Sequence, residues 1–258
     1  MQTMYADICG AWMSLELPDP DDEVMPGVRW GAFDEMMTPA YWRGQAWQHE
    51  ALGTYASLRL GRTLAEETAA CLLGGYGMPA ELGLGAYARL RADGLLEGTP
   101  SQAVLEQRLS EPFFTQGRFR RYRFPRQKAR YLAACLSALN GFDEPENDVD
   151  LRGALAALPG IGPKTASWIV RNYRASDCVA VLDIHIIRAG RHVGLFERDH
   201  TPERHYLELE VEFLAFAAAL PTAAGMLDGL MWDYMRRMPL GRSARETDQP
   251  DLFDLISA

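Results

Sequence analysis

Residues 158–168 read Leu158-Pro159-Gly160-Ile161-Gly162-Pro163-Lys164-Thr165-Ala166-Ser167-Trp168. The stretch ends one helix, turns tightly and starts another. Pro163 suits the first turn of a helix, where its missing N–H has no intrahelical partner to lose. Gly160 and Gly162, one residue apart, allow backbone conformations closed to other residues. They also leave amide N–H groups uncovered at a helix N-terminus, an arrangement that suits an anion such as phosphate. A plain helix–turn–helix corner carries the same signature, so these residues alone decide local structure and not function.

Outward from the hairpin the apolar spacing is helical. It predicts helices over 64–73, 84–96, 101–109, 128–139 (closed by Asn140-Gly141) and 150–158, with Asp150 as N-cap. Downstream it predicts helices over 164–173, 205–220 and 224–238. The run 179–182 is apolar but too short to assign. The first fifty residues, rich in Pro, Asp and Trp, read as irregular structure with short helices. The expected fold class is all-α. A length of 258 residues suits one compact unit with two lobes sharing a cleft.

Composition narrows the class. Apolar residues make up 48% and charged residues 24%, the profile of a chain with a real core. No apolar run reaches membrane-spanning length, and Met1 to Gly10 lacks the basic flank and apolar centre of a secretory signal. The expectation is a cytoplasmic, monomeric protein with no membrane partner. Cys9, Cys71, Cys135 and Cys178 are scattered without a C-x-x-C pair, so no local motif offers a zinc site or an iron–sulfur cluster, and four reduced thiols are expected.

The net charge of −9 argues, as a total, against nucleic acid as partner. Its distribution does not. Residues 118–130, RFRRYRFPRQKAR, hold seven basic residues and no acid. Arg120, Arg121 and Arg123 lie in this run, which is either a face for phosphates or a solvated helix surface. Only two of the 26 basic residues are lysines, Lys128 and Lys164. An amine can be deprotonated and attack carbon, whereas a guanidinium stays charged. Residues 179–188 read VAVLDIHIIR and place Asp183, a residue suited to cap the following helix, 19 residues after Lys164.

Together LPGIGPKT and VLDIH resemble the helix-hairpin-helix superfamily of DNA glycosylases with a catalytic Asp, over roughly residues 151–191. That superfamily includes endonuclease III, the adenine glycosylase acting opposite 8-oxoguanine, and the 8-oxoguanine glycosylases. The resemblance implies two helical lobes around a DNA-binding cleft, with 1–60 and 180–258 as one lobe and 61–179 as the other. It implies Lys164 as nucleophile and Asp183 as catalytic carboxylate, hence a glycosylase with lyase activity. Endonuclease III and most adenine glycosylases carry a four-cysteine cluster near the C-terminus. This chain has no cysteine after Cys178, and its VLDIH context is closer to the 8-oxoguanine branch, archaeal-like and without an iron–sulfur cluster.

The same resemblance implies that double-stranded DNA with a damaged base is the partner. Amides at Gly160, Gly162 and Lys164 would grip a phosphate, with His185 adding a contact. The carbonyls of Ala156, Leu158 and Ile161 would hold a monovalent cation. Asp228 and Trp232, one turn apart in LDGLMWDYMRR, resemble a base pocket, although an amphipathic helix with a core Trp has the same pattern. Trp168, four residues after Lys164, is either a stacking platform or a core residue. Trp42, Gln45 and Trp47 are further pocket candidates, and residues 1–60 find no convincing counterpart. The alternatives are removal of another damaged or modified base, in repair or in defence against foreign DNA, and a DNA-binding module without catalysis.

Overall fold

The structure, a computed structural model, describes residues 1–54, 58–75, 77–115 and 117–237. In chain order the elements are β1 (Gln2–Ile8), β2 (Ala11–Leu17), β3 (Glu23–Met25), β4 (Val28–Arg29), α1 (Pro39–Leu52), α2 (Leu64–Leu73), α3 (Ala80–Ala92) and α4 (Gln102–Ser110). They continue with β5 (Phe113–Thr115), β6 (Arg118–Arg120), α5 (Pro125–Leu139), α6 (Asp148–Ala156), α7 (Pro163–Arg174), α8 (Ile184–His192), α9 (Pro202–Ala219) and α10 (Ala224–Arg237). Among the described residues the strands pair as three separate antiparallel ribbons, β1–β2, β3–β4 and β5–β6. Helices therefore carry the architecture, and the all-α expectation holds. Among the described residues no single helix is long and apolar enough to cross a membrane.

These elements fall into two compact units, one within Met1–Ser57 and Ser176–Pro239 and the other within Leu58–Ala175. In the first, α1, α8, α9 and α10 close around Trp42, Leu182, Ile186, Phe213, Phe216, Leu227 and Met231. In the second, α2 to α7 bury Leu72, Leu73, Leu90, Leu105, Leu132, Leu136, Leu151, Leu155 and Ile169. The second unit also buries Glu67, whose carboxylate accepts from the amides of Leu60 (2.8 Å) and Gly61 (2.6 Å) and from Asn172 Nδ2 (3.0 Å). Burial raises its pKa above the usual carboxylate range, against the lowering by those bonds.

Several local expectations are corrected. The N-terminal segment, through Leu52, holds two ribbons and a 14-residue helix. The first ribbon turns on Cys9-Gly10, both at positive φ (53° and 86°), a two-residue hairpin connection without the usual Asn-Gly signature. Thr38 then caps α1, its hydroxyl accepting from Tyr41 N at 3.1 Å. The helix expected at 84–96 starts earlier, after Pro79, and ends at Ala92. Asn147, not Asp150, caps α6, accepting from Val149 N and Asp150 N. Residues 179–182 join none of these ribbons; side chains of α9 and α10 bond the amides of Ala180, Val181 and Leu182 instead. Met238, at the expected end of the last helix, lies outside the described residues.

Candidate active site

The hairpin forms as read. Leu158 N donates to Leu155 O at 3.0 Å as α6 ends, and Ile161 N donates to Leu158 O at 3.1 Å across the turn. Gly160 sits at φ 81°, and a Cβ there would stand 2.3 Å from the Tyr131 ring, so both conformation and space require glycine. Gly162 is the N-cap of α7 and Pro163 opens the helix; among the described residues no side chain caps this end. First-turn amides of α7 are thereby left to an external acceptor, at the positive end of a 12-residue helix. Lys164 stands in that first turn, half-buried. The other lysine is spent differently: Lys128 Nζ donates to Leu72 O at 2.6 Å, and burial lowers its pKa below the usual amine range. Cys135 lies beside the hairpin, its Sγ 3.5 Å from Pro159 O, with its thiol pushed up to about 11 by burial.

In the other unit Asp183 is the N-cap of α8. Its Oδ1 accepts from His185 N at 2.8 Å and Ile186 N at 3.1 Å, so a negative charge faces the helix's positive end. The segment that delivers it is extended and bonded to side chains. Ala180 N donates to Glu210 Oε1 (3.0 Å), Val181 N to Asp228 Oδ2 (2.8 Å) and Leu182 N to Tyr206 Oη (3.2 Å). Tyr206 Oη returns a bond to Ala180 O at 2.7 Å. Three helical side chains thus take the place of a partner strand. Sequence reading missed Glu210 and Tyr206; the signal was there in the stripe Tyr206, Glu210, Phe213, spaced four and three residues apart, which puts an acid on the buried face of α9.

The basic segment is anchored from within. Tyr122 Oη donates to Leu73 O at 2.6 Å and Lys128 Nζ to Leu72 O, closing the C-terminal carbonyls of α2. Arg120 forms an ion pair with the buried Glu81, and Arg123 Nη1 donates to Gly77 O at 2.6 Å. Arg118, Arg121, Arg126 and Arg130 are exposed. Arg126 and Arg130 line an open cavity of about 570 Å³ together with Gln102 and Gln127, near the N-terminus of α5, which no side chain among the described residues caps. Two guanidiniums, two amides and a bare helix N-terminus converge there, a set suited to anionic oxygens. Of the three arginines singled out in the sequence, Arg121 faces outward unengaged by those anchoring bonds, while Arg120 is built into the fold.

The remaining candidates divide. Trp168 is buried, with the far edge of its indole 3.4 Å from where a Cβ on Gly74 would sit. Trp232 is half-buried and carries the Arg236 guanidinium over its ring at 4.7 Å. Asp228, one turn before it, is only 2% exposed. Trp42 is fully buried in edge-on contact with Tyr41 and Tyr234, and Trp47 is also buried. Gln45 Oε1 accepts from Tyr234 Oη at 2.7 Å. His185 is half-buried on α8.

Residues 55–222 match the family model Ogg-HhH, described as 8-oxoguanine DNA glycosylase. No curated protein matches the chain by sequence. Among solved structures it is similar to the 8-oxoguanine DNA glycosylase of Thermotoga maritima, with a TM-score of 0.53 and 22% identity over 79% of this chain and 91% of that one. It is similar to the 8-oxoguanine DNA glycosylase of Methanocaldococcus jannaschii, with a TM-score of 0.54 and 24% identity over 76% and 86%. Endonuclease III in a trapped covalent DNA complex follows, at 0.51 and 18% identity over 72% and 82%. At these identities the structural likeness is one of fold.

Proposed function

The chain belongs to the 8-oxoguanine DNA glycosylase family, and from that premise we propose that it excises 8-oxoguanine from duplex DNA and cleaves the strand by β-elimination, with Lys164 as nucleophile and Asp183 as catalytic carboxylate. The observation that carries this reading is the segment inside the family match that holds both groups. An uncapped hairpin helix has a lysine in its first turn, and a braced segment ends in a carboxylate at the next helix N-terminus.

The reaction needs the nucleotide out of the stack, because C1′ of its sugar is out of reach inside a duplex. Amides at Gly160, Gly162 and Lys164 hold a phosphate of that strand, and His185 adds to the grip. The neutral amine of Lys164 forms a bond to C1′ as the C1′–N9 bond breaks; the departing purine takes that electron pair and a proton. The nitrogen lone pair then forms the C1′=N bond of an imine as the C1′–O4′ bond breaks, and O4′ takes the proton that the amine gives up. Removal of a C2′ proton then expels the 3′ phosphate. Asp183 stabilises the positive charge that develops on the sugar and relays protons. This reading assigns the half-buried Trp232 on α10 to the base, and gives Asp228, which accepts from Val181 N, the role of bracing the run that ends in Asp183. The exposed arginines of 118–130 supply affinity for phosphates of any sequence.

An alkali cation at the hairpin would be held by the carbonyls of Ala156, Leu158 and Ile161. Neutral oxygen donors fit such a hard ion, and Leu158 O, which accepts from Ile161 N, has a second lone pair for it. Bound there, it would add positive charge against the same phosphate.

A panel of duplexes carrying 8-oxoguanine, an oxidised pyrimidine or no lesion tests the substrate. Release of 8-oxoguanine in preference to the pyrimidine is expected. Release of the pyrimidine with 8-oxoguanine untouched would contradict the choice of base and leave the family intact.

A further inference from the structure

Two phenylalanines on the β5–β6 ribbon point into solvent. Phe114 is 65% and Phe119 is 75% exposed. They face each other across the ribbon, directly paired in register, with ring centroids 5.4 Å apart at 72°. Large rings so exposed are uncommon on a soluble chain unless something covers them.

The ribbon that carries them is fixed. Alternation along the strand turns Phe113 inward as Phe114 turns out. Phe113 is buried against α3, close enough to Gly85 that a Cβ there would meet its ring at 2.4 Å. The Arg89 guanidinium lies over the same ring at 5.0 Å and donates to the carbonyls of Arg108, Glu111 and Pro112. On the partner strand Arg120 is tied to the buried Glu81. The two outward rings therefore sit on a ribbon braced from beneath by Phe113 and from the partner strand by Arg120.

The surroundings say what fits. No acid occurs in the sequence between Glu111 and Asp143. Arg118, directly before Phe119, and Arg121, two residues after it, are both exposed. Aromatic faces interleaved with arginines suit nucleic-acid bases on a phosphate strand: the rings stack on bases, the guanidiniums neutralise phosphates. A second copy of the chain would bring basic ribbon against basic ribbon in a twofold contact, which like charge opposes.

We infer that Phe114 and Phe119 form a second DNA contact that stacks on unpaired bases, distinct from the hairpin and from the residues assigned to the reaction. The inference rests on the DNA-binding part of the proposed function and not on the base excised. Such a contact favours DNA whose strands are locally open, the state a flipped nucleotide creates.

The test is binding of the full chain to undamaged DNA, measured by fluorescence anisotropy on a single strand, a duplex with an internal bubble and a fully paired duplex. Phe114→Ala/Phe119→Ala should weaken binding to the single strand and the bubble about tenfold, a change expected of lost base stacking. Binding to the paired duplex should stay within about twofold and the salt slope should not change, because no phosphate contact is removed. Phe114→Trp/Phe119→Trp should restore the preference, and both variants should melt like the parent. Equal weakening on all three DNAs, or none on open DNA, would overturn the inference. So would self-association of the parent that the alanine pair abolishes. Failure of the parent to bind even the paired duplex would instead sink the underlying DNA-binding reading.

Discussion

Asp183 carries two duties on one carboxylate: it caps α8 through Oδ1, and its charge is the one the proposed chemistry needs. Asparagine keeps the acceptor and loses the charge, which separates the duties. Asp183→Asn should melt close to the parent, since Asn is an equally good cap. Single-turnover excision should fall by about 10²–10³, the loss typical when one electrostatic partner of a transition state is removed. Near-normal turnover in the folded variant would leave Asp183 a cap and nothing more. The two lysines separate just as clearly. Lys128 closes a carbonyl of α2 and Lys164 stands at a helix start without a side-chain cap, so position in the fold, not residue type, separates the structural amine from the one proposed to react.

The element that matters most is the extended run 179–182, which is held by Glu210, Asp228 and Tyr206 and sets where Asp183 stands. Asp228→Ala would leave Val181 N without its partner, at a cost of about 1–3 kcal/mol if the amide stays buried. Both base release and cleavage of a preformed abasic site should slow, because both steps of the proposed reaction use Asp183. Selective loss of 8-oxoguanine release, with abasic cleavage intact, would instead assign Asp228 to the base. The sequence revealed the ends of these elements better than their partners. The hairpin, the cap at Asp183 and most helices were legible because their signals are local: Gly-x-Gly-Pro, an Asp before an apolar stripe, a helical period. The N-terminal ribbons were not, since a Cys-Gly turn lacks the common hairpin chemistry. The braces on 179–182 were not, since they join residues 24 to 47 positions apart.

For the whole molecule, charge distribution decides what the net value hides. A chain of net charge −9 keeps Arg121, Arg126 and Arg130 exposed on an acid-free stretch, while Arg120 and Arg123 are engaged within the fold. Changing Arg121, Arg126 and Arg130 together to Ala should weaken binding to lesion-bearing and undamaged duplex alike. The log–log salt slope should become shallower by about one unit per lost phosphate contact, at most roughly three. An unchanged slope would turn this face away from DNA. Trp168 shows the opposite lesson: its place four residues after Lys164 fits a stacking role, yet the ring is packed against Gly74, a long-range contact that helical spacing does not reveal. The central claim is that Lys164 forms the covalent bond to the sugar, and borohydride trapping on an 8-oxoguanine duplex reads that bond directly. The parent should give a protein–DNA adduct, and Lys164→Gln should give none while binding the same duplex within about tenfold, or roughly 1.4 kcal/mol. An undiminished adduct in Lys164→Gln would contradict the claim and move the nucleophile to another amine.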